Sequence, residues 1–387
     1  MIPAYIDAEI PVPPDRSVIA LDAGGTNLRA ALVRFAADGK ARVDHVVRGR
    51  MPGTEGTVTA DEFFAQLAGF VAPLATASER IGFCFSYRAE ITPDRDGRLL
   101  QWSKQIRAPE VVGRMVGAEL TARLARPGFR HRVTVLNDTV ATLLAGRSLG
   151  MSGRFGGYLG YILGTGTNTA YAERHEAIGK CRGLAPGGRM ALNVESGGFK
   201  PAQRSRFDEL FDAQTADPGA YMLEKMISGG YLGGLGLTLL KQAAEAGLFR
   251  TAAAADIVAL PALANKDLDD FCADPGKPPP VFAGLRLQPE DRDTIQALGT
   301  AVYARAARLA ATSLAAVMIR AAGGAEPGLP LCVNIDGSTY YRTRSADFRR
   351  RLQRVLRDLL RPRGVAYTLT GMDDAPLIGA AIAGLSG

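Results

Sequence analysis

Two segments of this sequence share one pattern: an apolar run, a short turn rich in Gly, Thr and Asn, and a second run. The first spans residues 17–35 around the turn DAGGTN (residues 22–27), and the second spans residues 158–171 around GTGTN (residues 164–168). Each pattern is typical of a β-hairpin. Glycine lets backbone N–H groups approach an anion closely, and threonine adds hydroxyl donors. The pair therefore predicts a duplicated unit whose two turns grip one phosphorylated ligand from two sides.

The rest of the chain supplies the strands and helices that such a unit needs. Between the hairpins we predict a third strand, two further strands and three helices, at residues 43–47, 81–85 and 133–136, and at 61–74, 109–124 and 137–145. After the second hairpin we predict mainly helices, including residues 252–272 with a break near Pro261, and strands at residues 331–335 and 365–369. The last helix starts at Ala375. This order indicates an α/β fold with a mixed, largely buried sheet covered by helices.

Length and cysteine spacing narrow the class of protein. A chain of 387 residues is long enough for roughly two to three domains. No uninterrupted apolar run approaches the ~18 residues of a membrane helix, and residues 1–16 lack the basic cluster of a secretory signal. The cysteines are too scattered for a zinc site or a disulfide framework; they are Cys84, Cys181, Cys272 and Cys332. We therefore expect a protein of the reducing cytoplasm.

The net charge of +7 raises the question of a nucleic-acid partner. Residues 342–363 contain nine arginines, among which Phe348, Leu352, Val355 and Leu359 recur at helical spacing. This spacing favours a helix whose arginines coat a solvated face. Because no nucleic-acid-binding signature accompanies the charge, we expect neither a nucleic-acid nor a membrane partner. The basic surface would help to attract anionic nucleotides.

Several polar residues at strand ends allow both a structural and a chemical interpretation. Asp138 follows a strand and starts a helix, so it is either a helix cap or a general base facing a substrate hydroxyl. Asp22 is either a turn former or a water-mediated Mg²⁺ ligand, and Lys104 is either a surface lysine or a charge that neutralises a transferring phosphoryl group. Glu195 with Asn193 resembles a polyol-binding set, and Asp336-Gly337-Ser338 forms a third candidate loop. No Walker loop, kinase glycine loop or GxGxxG is present.

Taken in order, these segments resemble the motifs of the eukaryotic-type hexokinases, in the actin-like sugar kinase superfamily. The matching segments are LDAGGTNLR, FSYRAEITPDRDGRLLQWSK, LNDT, GTGTNTAY, NVESGGF and IDGSTYY. The resemblance implies a two-lobed actin-like (ribonuclease H-like) fold with mixed five-stranded sheets. Residues 1–138 plus 375–387 would form the small lobe, and residues 139–374 the large lobe. It also implies transfer of a phosphoryl group from ATP to the C6 hydroxyl of a hexose, first of all glucose.

The same resemblance assigns site residues by position. Asp138 would deprotonate the sugar hydroxyl, Lys104 would assist catalysis, and Asp22 would hold Mg²⁺ through water. The hexose would be held by Ser86, Ser103, Lys104, Asn137, Asp138, Asn168 and Glu195. ATP would be held by Gly24, Gly25, Thr26, Asn27, Arg29, Gly164, Thr165, Gly166, Gly337 and Ser338. The expected partners are the hexose and Mg-ATP, with the chain a monomer or a homodimer.

Four positions depart from the family pattern and keep rival functions open. Arg88 stands where the family usually has proline, Ser196 where it has tryptophan, Ser103 where it has threonine and Gly234 where it has a second sugar-binding glutamate. Loss of that carboxylate would cost roughly 1.5–3 kcal/mol of sugar binding. A kinase for another hexose or an N-acetylated sugar, and a catalytically silent sugar sensor, are therefore the alternatives. The family helix that precedes the segment resembling residues 1–6 is absent, which indicates a compact variant or a late-assigned start.

Overall fold

The computed structural model describes residues 1–9, 12–102, 106–149, 155–201 and 203–386. The strands are β1 (Ile2–Asp7), β2 (Ser17–Gly24), β3 (Asn27–Phe35), β4 (Ala41–Arg50), β5 (Arg80–Phe85), β6 (Arg88–Ile91), β7 (Gly97–Gln101), β8 (Arg132–Leu136), β9 (Gly157–Leu163), β10 (Thr167–Arg174), β11 (Arg189–Asn193), β12 (Leu331–Asp336) and β13 (Tyr367–Thr370). The helices are α1 (Ala60–Val71), α2 (Val116–Leu124), α3 (Asp138–Ser148), α4 (Arg206–Asp212), α5 (Met222–Ile227), α6 (Leu232–Glu245), α7 (Thr251–Ala259), α8 (Asn265–Ala273), α9 (Pro280–Ala283), α10 (Pro289–Ala322), α11 (Ser338–Arg342), α12 (Phe348–Leu360) and α13 (Ala375–Leu385).

Two mixed sheets repeat the same arrangement. The first has the order β4-β3-β2-β5-β8, in which β2, β3 and β4 are antiparallel neighbours and β2, β5 and β8 are parallel. The second has the order β1-β11-β10-β9-β12-β13, with β9 to β11 antiparallel and β9, β12 and β13 parallel. Each predicted hairpin thus forms two antiparallel neighbours of its sheet, β2 and β3 in the first and β9 and β10 in the second. The predicted mixed-sheet α/β fold is confirmed, with one extra strand in the second sheet.

The central helices α3 and α13 lie between the two sheets. One apolar cluster joins Val140 and Leu144 of α3 and Ile382 of α13 to residues from both sheets, among them Leu136 and Ala170. A glycine- and alanine-rich α13 suits this position because its small side chains let the helix pack closely between two layers. The layering brings the same edge of both sheets toward a common cleft.

The first strand corrects one part of the predicted division into lobes. β1 pairs antiparallel with β11, with Ile2 opposite Asn193, so it belongs to the second sheet rather than to the sheet of residues 17–136. Elsewhere the boundaries at residues 138 and 375 stay a prediction. The sequence analysis also missed β11 and the β6–β7 hairpin. Arg88 and Glu90 of β6 are exposed, and therefore the hairpin lacks an apolar signal.

Two helices have an unusual composition: α12 is rich in arginine, and α10 is long and apolar. The arginine-rich segment forms α12, which buries Phe348, Leu352 and Leu356 and turns most of its arginines to solvent, as predicted. Helix α10 has 34 residues and is long and apolar enough to cross a membrane by those two criteria. Half of its most apolar window is buried, and Tyr303 and Leu314 lie in the main apolar cluster of the second sheet. Its apolar composition therefore fits a core helix.

Candidate active site

The carboxyl ends of the three parallel strands in the first sheet bring two carboxylates together. Asp22 on β2 lies opposite Cys84 on β5, and Cys84 lies opposite Leu136 on β8, which leads directly to Asp138. Asp22 is buried, and Cys84 is fully buried. Burial raises the pKa of the Cys84 thiol, and the Asp22 and Asp138 carboxylates add to the shift. Both acids therefore flank one thiol at the edge of the sheet where ligands bind in open α/β folds.

The sequence left open whether Asp138 is a helix cap or a general base, and the structure shows that the neighbouring Asn137 is the cap. Asn137 is the N-cap of α3, because its side chain accepts a hydrogen bond from the Thr139 N–H at 2.9 Å. Asp138 is the first residue of the helix, is half-buried, and accepts a hydrogen bond from the Thr139 hydroxyl at 3.2 Å. Since Asn137 caps the helix, Asp138 is not needed as the cap. The helix N-terminus stabilises its negative charge.

Arg29 ties Asp22 to the start of α13. Its Nε and Nη2 atoms donate to Asp22 Oδ2 at 3.0 and 2.7 Å, and its Nη1 donates to Asp374 Oδ1 at 2.7 Å. Asp336 lies nearby, and its pKa is raised by burial and by the Asp22 carboxylate. Within the described residues no group of three or more His, Cys, Asp or Glu side chains is arranged to bind a metal directly. A single buried carboxylate at a phosphate turn fits a Mg²⁺ ion that keeps most of its waters.

The first predicted phosphate turn, at Gly24 to Asn27, has two residues between the paired ends of its strands. Gly25 has φ +78°, a conformation that favours glycine. The Gly25 carbonyl accepts a hydrogen bond from the Tyr87 hydroxyl, and the Thr26 carbonyl accepts one from the Met51 N–H at 3.0 Å. The turn is thus held through its carbonyl groups.

The second turn, at Gly164 to Gly166, is held in the same manner. The Gly164 carbonyl accepts hydrogen bonds from the Gly229 N–H at 2.8 Å and the Thr339 hydroxyl at 2.7 Å. The Thr165 carbonyl accepts one from the Gly230 N–H at 2.9 Å. In both hairpins, packing against the carbonyl side leaves the opposite side of the turn for a ligand.

The Asp336-Gly337-Ser338 loop lies directly against this second turn. Gly337 has φ +119°, and a Cβ atom there would lie 2.4 Å from the Leu163 carbonyl oxygen, so only glycine fits. Because β9 and β12 are parallel neighbours, their carboxyl ends place Gly164 and Gly337 side by side. The three predicted phosphate-side loops therefore come from the expected edge of each sheet.

The predicted sugar-binding residues of the second sheet form one hydrogen-bonded group. Asn168 Nδ2 donates to Asn193 Oδ1 at 2.7 Å and to Glu195 Oε1 at 3.2 Å, and Asn193 Nδ2 donates to Glu195 Oε1 at 2.6 Å. A small cavity brings Glu195 and Asn193 together with Asn137, at the end of β8, and Arg88, on β6. Asn137 and Glu195 thus share one cavity, Asn168 is hydrogen-bonded to Glu195 beside it, and Ser86 directly follows β5. Ser103 and Lys104 lie outside the described residues.

Three of the four residues that depart from the hexokinase pattern, Gly234, Ser196 and Arg88, lie in the described part of the chain. Gly234 lies on α6, and a Cβ atom at this position would lie 2.6 Å from the Phe211 ring, so that ring occupies the space next to the missing side chain. The Ser196 hydroxyl is buried and lies 3.1 Å from the Thr169 hydroxyl. Arg88 is exposed and lines the small cavity that Asn137 and Glu195 share.

Three residues at the site were not predicted. Tyr87 donates a hydrogen bond to the first turn, and Asp374 accepts one from Arg29. Glu224 accepts a hydrogen bond from the Thr167 N–H at 2.8 Å beside the second turn. Tyr87 lies inside the segment of residues 85–104 that resembles the family's motif, so its hydroxyl could have marked it as a site residue. Glu224 belongs to a helix remote in sequence from the hairpin, and only the fold reveals its position.

Comparison with known proteins agrees with this geometry. Two family models described as hexokinase match residues 1–148 and 158–386. Hexokinase-2 of Oryza sativa subsp. japonica is 38% identical over 267 residues, covering 64% of this chain and 53% of that protein. Hexokinase-7 of the same plant is 30% identical over a match that covers 93% of this chain and 82% of that protein. The chain thus spans about half the length of the first of these relatives and most of the second.

A solved structure shows the same architecture. The hexokinase of Schistosoma mansoni, solved with glucose, superposes with a TM-score of 0.80 at 26% identity, covering all of this chain and 89% of that one. The two family models together match nearly the whole length of the chain. The chain belongs to the hexokinase family.

Proposed function

We propose that this protein is an ATP-dependent hexokinase that transfers the γ-phosphoryl group to the C6 hydroxyl of a hexose, with glucose as the first candidate. The observation that carries the proposal is the position of Asp138. It lies on the other side of Cys84 from Asp22 at the carboxyl edge of the first sheet, and Asn137 next to it lines a cavity shared with Glu195. One carboxylate would therefore serve the acceptor hydroxyl, and the other the metal-bound donor.

The chemistry needs little more than positioning and charge stabilisation. The acceptor oxygen attacks the γ-phosphorus, the bond from that phosphorus to the oxygen bridging to the β-phosphate breaks, and ADP leaves with the bond electrons. Asp138 takes the proton of the acceptor hydroxyl. Mg²⁺, when bound near Asp22, neutralises charge on the donor phosphates. Lys104, carried over from the family pattern, would add positive charge at the transferring group.

Donor binding would use N–H groups of the two turns and of the Gly337-Ser338 loop other than those of Gly164 and Gly337, which donate to the Gly166 carbonyl and the Asp336 carboxylate. The carbonyls of both turns are already bonded within the protein, as described above, so the turns are ordered before the ligand arrives. Preorganised donors of this kind act on the charge that develops in the transition state without further reorganisation. Arg29 is held on Asp22 and Asp374, and so would contribute positive charge near the phosphates rather than move freely.

Acceptor binding would use the Asn168, Asn193 and Glu195 group together with Ser86 and Asn137. The Schistosoma mansoni hexokinase binds glucose, which supports glucose here. The Phe211 ring beside Gly234 and the exposed Arg88 favour weaker glucose binding or a different hexose. The four cysteines are free thiols, which supports a cytoplasmic enzyme.

A coupled ADP-release assay with glucose, fructose, mannose and N-acetylglucosamine tests the proposal. We expect sugar-dependent ADP release that requires Mg²⁺, with phosphate at C6 of the product by NMR. Preference for N-acetylglucosamine would support the rival substrate class. Sugar binding without ADP release for any sugar would support the silent sensor and contradict the proposed activity.

A further inference from the structure

Tyr87 connects the acceptor side of the site to the first phosphate turn. It follows Ser86, which the resemblance assigns to the sugar, and its side chain is 3% exposed. Its hydroxyl donates to the Gly25 carbonyl, and the Ser86 N–H donates to the Ala23 carbonyl at 3.2 Å. Burial and the nearby Asp22 carboxylate raise the pKa of the Tyr87 hydroxyl, which therefore stays protonated and able to donate.

The hydrogen bond to Gly25 sets the direction of the next N–H group. A trans peptide is planar, and its C=O and N–H bonds point to opposite sides. With the Gly25 carbonyl directed at the buried Tyr87 hydroxyl, the Thr26 N–H points away from the core. The Met51 N–H holds the following carbonyl in the same way. The turn therefore presents the Thr26 N–H on the side where a donor phosphate would bind.

The Tyr87 ring also touches the second acceptor segment. Its centroid lies 4.8 Å from that of Trp102 in an edge-to-face contact, and 4.8 Å from that of Phe85. Trp102 directly precedes Ser103 and Lys104, which the resemblance assigns to the sugar and the phosphoryl group. A sugar bound at Ser86 would therefore act on the neighbouring Tyr87 side chain, and with it on the Gly25–Thr26 peptide.

We propose that Tyr87 is a positioning residue that couples the acceptor site to the donor turn by fixing the orientation of the Gly25–Thr26 peptide. The proposal rests on the kinase function proposed above. It assigns Tyr87 no contact with either substrate. Its effect is that bound hexose tightens the binding of MgATP, because the Tyr87 hydroxyl orients the donor turn while the neighbouring Ser86 belongs to the acceptor side.

The variant Tyr87→Phe tests this, since it removes the hydroxyl and keeps the ring packed against Trp102 and Phe85. We expect the KM for MgATP to rise about three- to tenfold, the size of one lost hydrogen bond, with the Kd for hexose in the absence of nucleotide nearly unchanged. The Kd of a non-hydrolysable ATP analogue, measured with and without hexose, should show coupling in the wild type and almost none in the variant.

Tyr171→Phe is the matched control. Tyr171 is also buried, and its hydroxyl donates to Glu173 at 3.0 Å within the second sheet, away from both turns. We expect that variant to keep wild-type coupling. Equal coupling in Tyr87→Phe and the wild type, or no coupling in an active wild type, would overturn the proposal. A wild-type protein that phosphorylates no hexose would instead overturn the proposed function, so the two failures are distinguishable.

Discussion

At the scale of single residues, the site depends on burial that changes the chemistry of side chains. Cys84 lies between Asp22 and Asp138, and its burial and these two neighbours keep it a neutral thiol. Two other cysteines are buried in the second half of the chain. Burial raises the pKa of Cys272 to about 12 and that of Cys332 to about 11. The three thiols are therefore inert in the native protein at neutral pH.

These thiols give the stability a defined dependence on alkaline pH. Their pKa values are raised on folding, so their stabilising effect is complete below the unfolded value of about 8.5 and is lost as pH rises through 11 to 12. We expect the free energy of unfolding to fall above about pH 8.5, by up to about 1.4 kcal/mol per pH unit for each thiol. Urea unfolding under reducing conditions at several pH values measures this.

The variant Cys272→Ala isolates the contribution of one thiol. Its free energy of unfolding should fall less steeply above about pH 8.5 than that of the wild type, whatever its value at neutral pH. Ile257→Val, at a buried position that carries no titratable group, provides the control and should leave the slope unchanged. Parallel curves for the wild type and Cys272→Ala would contradict the assignment.

At the scale of elements, the second hairpin depends on a helix that is distant in sequence. Glu224 of α5 accepts the Thr167 N–H at 2.8 Å, where β10 begins. The same carboxylate lies close to Gly166 and Gly197, where a Cβ atom would approach its Oε2 to 2.8 and 3.1 Å. The glycines of the turn therefore make room for this carboxylate as well as for a ligand.

Replacing Glu224 with alanine should loosen the second turn. The Thr167 N–H would lose its partner, at a cost of about 1–3 kcal/mol in unfolding free energy, and the KM for MgATP should rise several-fold. Glu224→Gln keeps an acceptor oxygen and should recover part of both effects. Thermal unfolding and steady-state kinetics measure the two quantities, with the exposed Glu245→Ala as control. An unchanged KM in Glu224→Ala would show that the turn does not depend on this helix.

At the scale of the whole molecule, the local pattern of apolar residues was enough to predict the two repeated hairpins and their sheets. It was not enough to predict the contacts between segments that are distant in the sequence. The hairpins around residues 25 and 165, the strands β4, β5, β8 and β12 and the arginine helix carry strong apolar periodicity, so they were predicted. β11 pairs through its backbone with β1 on one side and β10 on the other, and nothing local in these sequences records that pairing. Asp374 reaches Arg29 across 345 positions of the chain, which only the packing of α13 reveals.

The residues of the candidate site likewise fall into two groups, those that a local sequence pattern predicts and those that only the fold reveals. Asp22, Asp138, Asn168 and Glu195 lie at ends of strands, where polar residues after an apolar run are visible in the sequence. Tyr87 acts from a buried position and Glu224 from a half-buried one, and neither residue type carries a distinct signal there. Family resemblance supplied the order of the motifs, and the register of β2, β5 and β8 supplied the reason that two of the acids are neighbours.

The position of Asp138 beside the acceptor is the central claim, and the variant Asp138→Ala tests it most directly. Hexose binding can be followed through the fluorescence of Trp102, the single tryptophan of the chain, which precedes the predicted sugar residues 103 and 104. We predict that turnover falls by about 10²- to 10⁴-fold, as expected for loss of a general base, while the Kd for hexose stays nearly unchanged. Turnover close to that of the wild type would contradict the account.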